Sequence, residues 1–257
     1  MTSEFVLVIM FASLVGLLLT GVPLAFTLGS LALLFTVTLW GPAALAVTVL
    51  NLFDTMRSES LLAIPLYVMM ASVLQRSGVI ESLYRAMELW SRRLPGGLAV
   101  GTIAICTIIA AMTGIVGAAV AAMGMLALPS MLKRNYQPEL AIGTICAGGT
   151  LGILIPPSVI TIVYAVTAQA SIGQMFIAGV VPGLLLASLY IGYIVLRAAL
   201  NPSIAPRPAD EGDITWAMRL GALKSLILPM LIIVGVLGTI YMGIATPTEA
   251  AAVGAVG

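Results

Sequence analysis

Long apolar runs separated by short polar segments dominate the chain. Residues 5–53 and 140–196 contain no charged residue, and each run exceeds the roughly 20 residues that one membrane-spanning helix requires. Neither run shows the alternating pattern typical of a membrane β-barrel. The pattern therefore predicts an all-α integral membrane protein, built as a multi-span helical bundle.

Composition narrows the possible functions. Hydrophobic residues make up 61% of the chain and charged residues 8%, with a net charge of +1 and no histidine, whereas soluble domains are about 25% charged. The sequence has no basic patch that would bind nucleic acid, so we expect no nucleic-acid partner. The expected environment is a lipid bilayer. Without histidine, the commonest metal ligand and general base, we expect no enzyme and no cofactor.

The first 76 residues predict transmembrane helices. The turn Gly21-Val22-Pro23 separates helices near 5–20 and 24–50, and a third helix covers 60–75. Residues 77–97 then predict an amphipathic helix along the membrane surface, because apolar and charged positions alternate with helical spacing.

The uncharged segment 94–132 lies between two basic pairs, Arg92-Arg93 and Lys133-Arg134. Because basic residues favour the cytoplasmic side, both ends of the segment are expected there. Two full spans fit only tightly into these 39 residues, so residues 98–132 predict a re-entrant hairpin. Its tip would be formed by Thr113, Gly114, Ile115, Val116 and Gly117.

Residues 139–166 predict a discontinuous transmembrane helix, because the stretch GGTLGILIPPS (148–158) interrupts them. Prolines leave carbonyl groups without helical partners, so these carbonyls must be packed inside protein or bind something. The candidate binding residues are Gly148, Gly149, Thr150, Gly152, Pro156, Pro157 and Ser158. The alternatives are a packed proline kink here and a glycine-lined helix contact at the hairpin tip.

The rest of the chain predicts a transmembrane helix at 167–197, a cytoplasmic linker at 198–224 and the start of a second repeat at 225–257. Thr246, Pro247 and Glu249 form a capping-box pattern at a helix start. A proline precedes a small-residue helix in both 21–34 and 244–257, which hints at an internal repeat. We expect the chain to be the N-terminal part of a longer protein.

Two helix interruptions within about 40 residues favour a transporter, because broken helices build ion and substrate sites in the membrane. Backbone carbonyls, with the hydroxyls of Thr113, Thr150 and Ser158, suit a small hard cation. A membrane-embedded scaffold protein and an ion channel are the alternatives.

Six segments together resemble the large membrane subunit of the tripartite ATP-independent periplasmic (TRAP) transporters, the DctM-like family. They are LLAIPLYV (61–68), LPGGLAVG (94–101), MGMLALPSMLKRNY (123–136), GGTLGILIPPSVITIVY (148–164), MFIAGVVPGLLL (175–186) and GIATPTEAAAVGA (243–255).

This resemblance implies a sodium-coupled symporter of the bacterial inner membrane with an inverted-repeat, elevator-type fold, of which the second repeat is mostly missing here. It implies a scaffold-like role for residues 1–76, a small membrane (Q-type) subunit, a periplasmic solute-binding protein and an organic acid substrate. Sodium would be held by carbonyls near Thr113, Gly114, Gly117 and Thr150. Much of the family has a serine-rich tip, so the apolar tip of this chain implies greater reliance on backbone carbonyls.

Overall fold

The computed structural model describes residues 3–91, 94–206 and 216–256. Two parts of the sequence-based prediction lie outside the described residues. They are Arg92 and Arg93, on which the predicted orientation of the hairpin depends, and the central part of the predicted linker. The chain divides into two units, Met1–Ser58 and Glu59–Gly257.

The first unit contains α1 (Ser3–Leu19), α2 (Leu24–Trp40), a 3₁₀ turn (Pro42–Ala44) and α3 (Leu45–Met56). The sequence predicts one helix over 24–50, and the structure instead ends α2 at Trp40. Gly41 adopts a φ of +83°, and Pro42 disfavours helical geometry in the residue before it. The interruption therefore comes from the Gly41-Pro42 pair.

The second unit begins with a 3₁₀ turn at Glu59–Leu62 and continues with nine α-helices in the part that the structure describes. They are α4 (Ala63–Arg76), α5 (Val79–Ser91), α6 (Gly97–Thr113), α7 (Val116–Lys133), α8 (Pro138–Leu154), α9 (Val159–Thr167), α10 (Ile172–Leu200), α11 (Trp216–Tyr241) and α12 (Pro247–Val256).

Two apolar clusters hold these helices together. The larger cluster is centred on α6, whose residues are mostly buried, and joins α5, α7, α8 and the second half of α10. The smaller cluster joins α4, α9, the start of α10, α11 and α12. Tyr67 of α4 and Phe176 of α10 are among its largest fully buried side chains.

Helices α6 and α7 form a hairpin whose open ends meet. The N–H of Leu98, near the start of α6, donates a hydrogen bond to the Tyr136 hydroxyl just after α7, at 3.3 Å. Beside this contact, Arg134 forms an ion pair with Glu88 of α5. The hairpin is thus fastened to α5 at its open end, and its re-entrant course in the membrane stays a prediction.

Three segments of the described chain are long and apolar enough to cross a membrane: Val116–Lys133, Pro138–Thr167 and Ile172–Leu200. Four further apolar helices are shorter: Glu4–Leu19, Leu24–Trp40, Gly97–Thr113 and Leu226–Tyr241. With its helices and apolar surface, the chain is an all-α membrane protein.

Candidate ion and substrate site

The hairpin tip is a two-residue connection. Helix α6 ends at Thr113, Gly114 follows in the left-handed region with a φ of +60°, and Ile115 is extended before α7 begins at Val116. A left-handed φ is a conformation that glycine adopts without the strain of a Cβ. Gly114 therefore permits the abrupt change of direction.

The break in the following helix covers residues 155–158. Helix α8 ends at Leu154, Ile155 is extended, and a cis peptide bond joins Pro156 to Pro157. Ser158 then caps α9, its side-chain oxygen accepting a hydrogen bond from the Thr161 N–H at 3.4 Å. The interruption thus has a helix C-terminus on one side and a capped helix N-terminus on the other.

The tip and the break lie against each other through their backbones. A Cβ placed on Gly114 would lie 2.1 Å from the Pro157 carbonyl oxygen and 2.9 Å from the Ser158 Cα. One turn before the break, a Cβ on Gly152 would lie 3.5 Å from the Ile115 carbonyl carbon and 3.6 Å from the Val116 nitrogen. Glycine at position 114 therefore allows the two irregular segments to meet.

Several carbonyls at the break are occupied within the protein. The Leu151 carbonyl accepts from the Ile155 N–H at 2.9 Å, and the Ile153 carbonyl accepts from the Thr161 hydroxyl at 3.4 Å. The Leu154 carbonyl oxygen lies against α10, 2.5 Å from where a Cβ on Gly179 would be. These contacts answer part of the sequence-based question, because the Thr161 hydroxyl gives a partner to the Ile153 carbonyl, which lies four residues before Pro157 and has lost its helical donor.

Two of the three candidate hydroxyls, those of Thr113 and Thr150, donate hydrogen bonds to carbonyls of their own helices. Thr113 is buried and donates to the Ile109 carbonyl at 2.9 Å. Thr150 is exposed, donates to the Ala147 carbonyl at 2.7 Å, and lies 3.4 Å from the Tyr190 hydroxyl. A hydroxyl that donates its proton to a carbonyl keeps lone pairs, so each oxygen retains acceptor capacity.

The remaining predicted residues differ in their surroundings. A Cβ on Gly148 would lie 2.7 Å from the Cys106 sulfur, and one on Gly149 would lie 2.2 Å from Cγ2 of Val120. These two glycines thus serve the close approach of α8 to both hairpin arms. Gly117, by contrast, is exposed, and a Cβ there would meet nothing within 4 Å.

Two residues of α10 complete this region and are absent from the sequence-based prediction. Gly179 faces the Leu154 carbonyl, and a Cβ on Gly183 would lie 2.6 Å from Cγ1 of Ile155. The four-residue spacing of small residues was a usable signal, because it is typical of close helix contacts in membranes. The break is therefore enclosed by the hairpin tip on one side and by α10 on another.

Comparison with known proteins identifies the family. Residues 11–257 match the family described as the tripartite ATP-independent periplasmic transporter, DctM component. The chain belongs to this family. Membership confirms the resemblance drawn from the six sequence segments and, with the apolar helices, makes the chain a multi-pass protein of the bacterial inner membrane.

Individual TRAP permeases show how far the likeness extends. The chain is 39% identical over 253 residues to the C4-dicarboxylate TRAP transporter large permease protein DctM of Vibrio cholerae, covering 96% of this chain and 54% of that protein. It is 33% identical to the ectoine permease TeaC of Halomonas elongata, covering 95% and 56% respectively. It is 35% identical to the isethionate permease DctMQ of Oleidesulfovibrio alaskensis, covering 93% and 37%.

The chain thus spans about half the length of the first two of these relatives. The relatives are named as transport permeases. Their names give three different solutes, so family membership alone leaves the substrate open.

Proposed function

We propose that this chain is part of a permease that imports an organic acid together with sodium and receives its substrate from a periplasmic binding protein. The observation that carries the proposal is the backbone contact between Gly114 and Pro157, which joins the hairpin tip to the helix break. Broken helices in contact at mid-membrane are the arrangement from which secondary transporters form their sites.

The sodium ion would be held by oxygens around this contact. We assign the carbonyls near Thr113, Gly114, Gly117 and Thr150 as its ligands, with the Thr113 and Ser158 hydroxyls close to the same contact. The exposure of Gly117 and Thr150 supports this assignment, because a solute has room to approach them. Gly148 and Gly149 contribute by bringing α8 close to the hairpin.

Coupling would follow from the cost of moving charge through hydrocarbon. An unpaired ion is strongly disfavoured in an apolar medium, whereas an ion paired with an anionic substrate is less so. A domain carrying both would therefore move more readily than one carrying sodium alone. This is the physical basis that we propose for elevator-type movement of the hairpin and the broken helix against the N-terminal helices.

Three partners belong to the proposal: a small membrane subunit, a periplasmic solute-binding protein and an organic acid. Support for them comes from family membership, since the family description names a tripartite periplasmic transporter. An inverted second repeat, of which α11 and α12 would be the start, would supply the other half of the site.

Uptake into proteoliposomes tests the proposal. The complete permease would be reconstituted with its small subunit and assayed with a panel of labelled organic acids, with and without the binding protein and an inward sodium gradient. We expect uptake that requires both the binding protein and the inward sodium gradient. Uptake driven by a proton gradient alone would overturn the sodium site, and ion conduction without binding protein would favour a channel. Folded protein without uptake under any gradient would favour a scaffold.

A further inference from the structure

A groove lies between α8 and α10 and also touches α6. The groove encloses a cavity of about 330 Å³. Most of its lining is apolar, and the polar lining residues are Glu139, Thr144, Tyr190, Tyr193 and Arg197. Glu139 is in the first turn of α8 and Arg197 in the last turn of α10, so both charges lie at the same end of the groove.

The two charges are not paired with each other. The structure shows no ion pair between Glu139 and Arg197 and no hydrogen-bonding partner for Glu139 among the described residues. The Arg197 guanidinium lies 5.8 Å from the Tyr193 ring centroid and donates a hydrogen bond to the Tyr193 hydroxyl. Within the described residues, the groove therefore presents a carboxylate without a partner and a cation positioned by Tyr193, both at one end.

The position of the groove suits a molecule that is charged at one end and apolar along the rest. Its α8 wall runs from Glu139 to Ala147, about 12 Å along the helix axis. Tyr193 lies one helical turn from Arg197, near the charged end, where aromatic residues favour the membrane–water interface. Tyr190 lies deeper, and its hydroxyl is 3.4 Å from that of Thr150. Deeper in the groove, Gly143 and Ala147 leave space for a hydrocarbon chain.

We propose that this groove binds a phospholipid whose headgroup carries both a phosphate and a primary ammonium group. The phosphate would accept hydrogen bonds from Arg197 and from the Tyr193 hydroxyl, and the ammonium would donate to Glu139. One acyl chain would lie along Gly143 and Ala147. Charge complementarity selects this class, because an anionic lipid would leave Glu139 unpaired and a quaternary ammonium cannot donate a hydrogen bond to it.

Thr144 offers an additional contact. It lines the same cavity, is 4% exposed, and its hydroxyl has no hydrogen-bonding partner among the described residues. A buried hydroxyl without a partner is unfavourable. The ester carbonyl of a bound lipid would supply the acceptor once the side chain turned about χ1.

Native mass spectrometry of the complete permease tests the proposal with phosphatidylethanolamine, phosphatidylcholine and phosphatidylglycerol. We expect the dissociation constant for phosphatidylethanolamine to be about tenfold lower than for the other two, as one charge-assisted hydrogen bond allows. Glu139→Gln should remove this preference, and Arg197→Gln should weaken binding of all three lipids. Glu81→Gln, an exposed acid outside the groove, is the matched control and should change nothing.

A photoactivatable phosphatidylethanolamine provides a second measurement on the unaltered protein, for the case in which a variant fails to fold. Its cross-links should map to peptides of α8 and α10. Equal binding of the three lipids, an unchanged preference in Glu139→Gln, or cross-links only elsewhere would overturn the proposal. The proposal would also be overturned if the rest of the complete permease filled the groove and left no space for a lipid. None of these outcomes depends on transport, so failure here is distinguishable from failure of the proposed function.

Discussion

Gly114 and Pro157 are in backbone contact: a Cβ on Gly114 would lie 2.1 Å from the Pro157 carbonyl oxygen. This contact joins the turn between α6 and α7 to the interruption between α8 and α9. Both segments are irregular backbone within apolar sequence, which is tolerated in a membrane where protein covers it. Each irregular segment thus shields part of the other segment's backbone from lipid.

Replacing Gly114 by alanine should strongly destabilise the protein. The new Cβ would overlap backbone atoms of Pro157 and Ser158, which cannot move aside as a flexible side chain can. The substitution also forces a non-glycine residue to a φ of +60°. The conformational strain alone is about 1–2 kcal/mol, and the overlap adds to it. Thermal unfolding of the complete permease in detergent should therefore show a clearly lower melting temperature.

Gly117→Ala is the matched control on the same tip. Its Cβ would meet nothing within 4 Å, and alanine favours a helical position over glycine by about 0.5–1 kcal/mol. The melting temperature should be unchanged or slightly higher. If both variants unfolded at the wild-type temperature, the tip would not contact the break as described.

Gly179 provides an independent test from the α10 side. Gly179→Ala would place a Cβ 2.5 Å from the Leu154 carbonyl oxygen, and overpacking of this kind costs about 1–3 kcal/mol. Gly192→Ala, in the same helix, would meet nothing within 4 Å and should be tolerated. Chemical unfolding of both variants would measure the difference. Equal stability would mean that α10 does not enclose the break.

The ion pair between Glu88 and Arg134 should couple the surface helix α5 to the hairpin. Both side chains are partly buried, at 25% and 29% exposed. Glu88→Gln and Arg134→Gln should each lower stability, and a double-mutant cycle should give a coupling energy of about 1 kcal/mol. Exchanging the two charges should restore part of the loss. Additive effects of the single substitutions would show that the pair does not act as a unit.

The capping box at the start of α12 predicts a pH dependence. Hydrogen bonds from the Thr246 N–H and hydroxyl hold the pKa of the Glu249 carboxyl below its usual value. A lowered pKa in the folded state contributes stability above the usual pKa of glutamate, and this contribution is lost as the pH falls through the lowered value.

Thermal unfolding from about pH 7 down to about pH 3 checks this dependence against the usual glutamate range. Glu249→Gln should lower the melting temperature at neutral pH, and its difference from the wild type should shrink as the pH falls. A difference that stayed constant across the series would contradict the assigned role of the carboxylate.

Both irregular segments of the candidate site could be predicted from the sequence. Glycine at 114 and the adjacent prolines at 156 and 157 have strong local conformational effects, and the structure interrupts the helices there. The same reasoning extended to Gly41-Pro42 would have divided the predicted helix at 24–50. Glycine and proline at these positions therefore predict where the helices are interrupted.

Helix ends and helix faces were less predictable. The sequence predicts a linker over 198–224, whereas α10 continues to Leu200 and α11 begins at Trp216. Hydropathy predicts which residues lie in the bilayer. It does not predict where a helix ends, because a helix can extend beyond the bilayer into water. The contacts of Gly148 with Cys106 and of Gly179 with Leu154 could not be assigned, because uniformly apolar helices carry no polar face to fix their orientation.

Sodium-dependent stability of the complete permease is the most direct test of the proposed site. A ligand that binds only the folded state raises the melting temperature, so sodium should stabilise the wild type relative to potassium at equal ionic strength. Thr113→Val removes a candidate oxygen ligand while preserving side-chain size, and should reduce the sodium-induced shift with little change in potassium. An undiminished shift in Thr113→Val would leave the backbone carbonyls as the ligands and exclude the Thr113 hydroxyl. Identical melting temperatures in the two salts for the wild type would contradict the assignment of sodium to the hairpin tip.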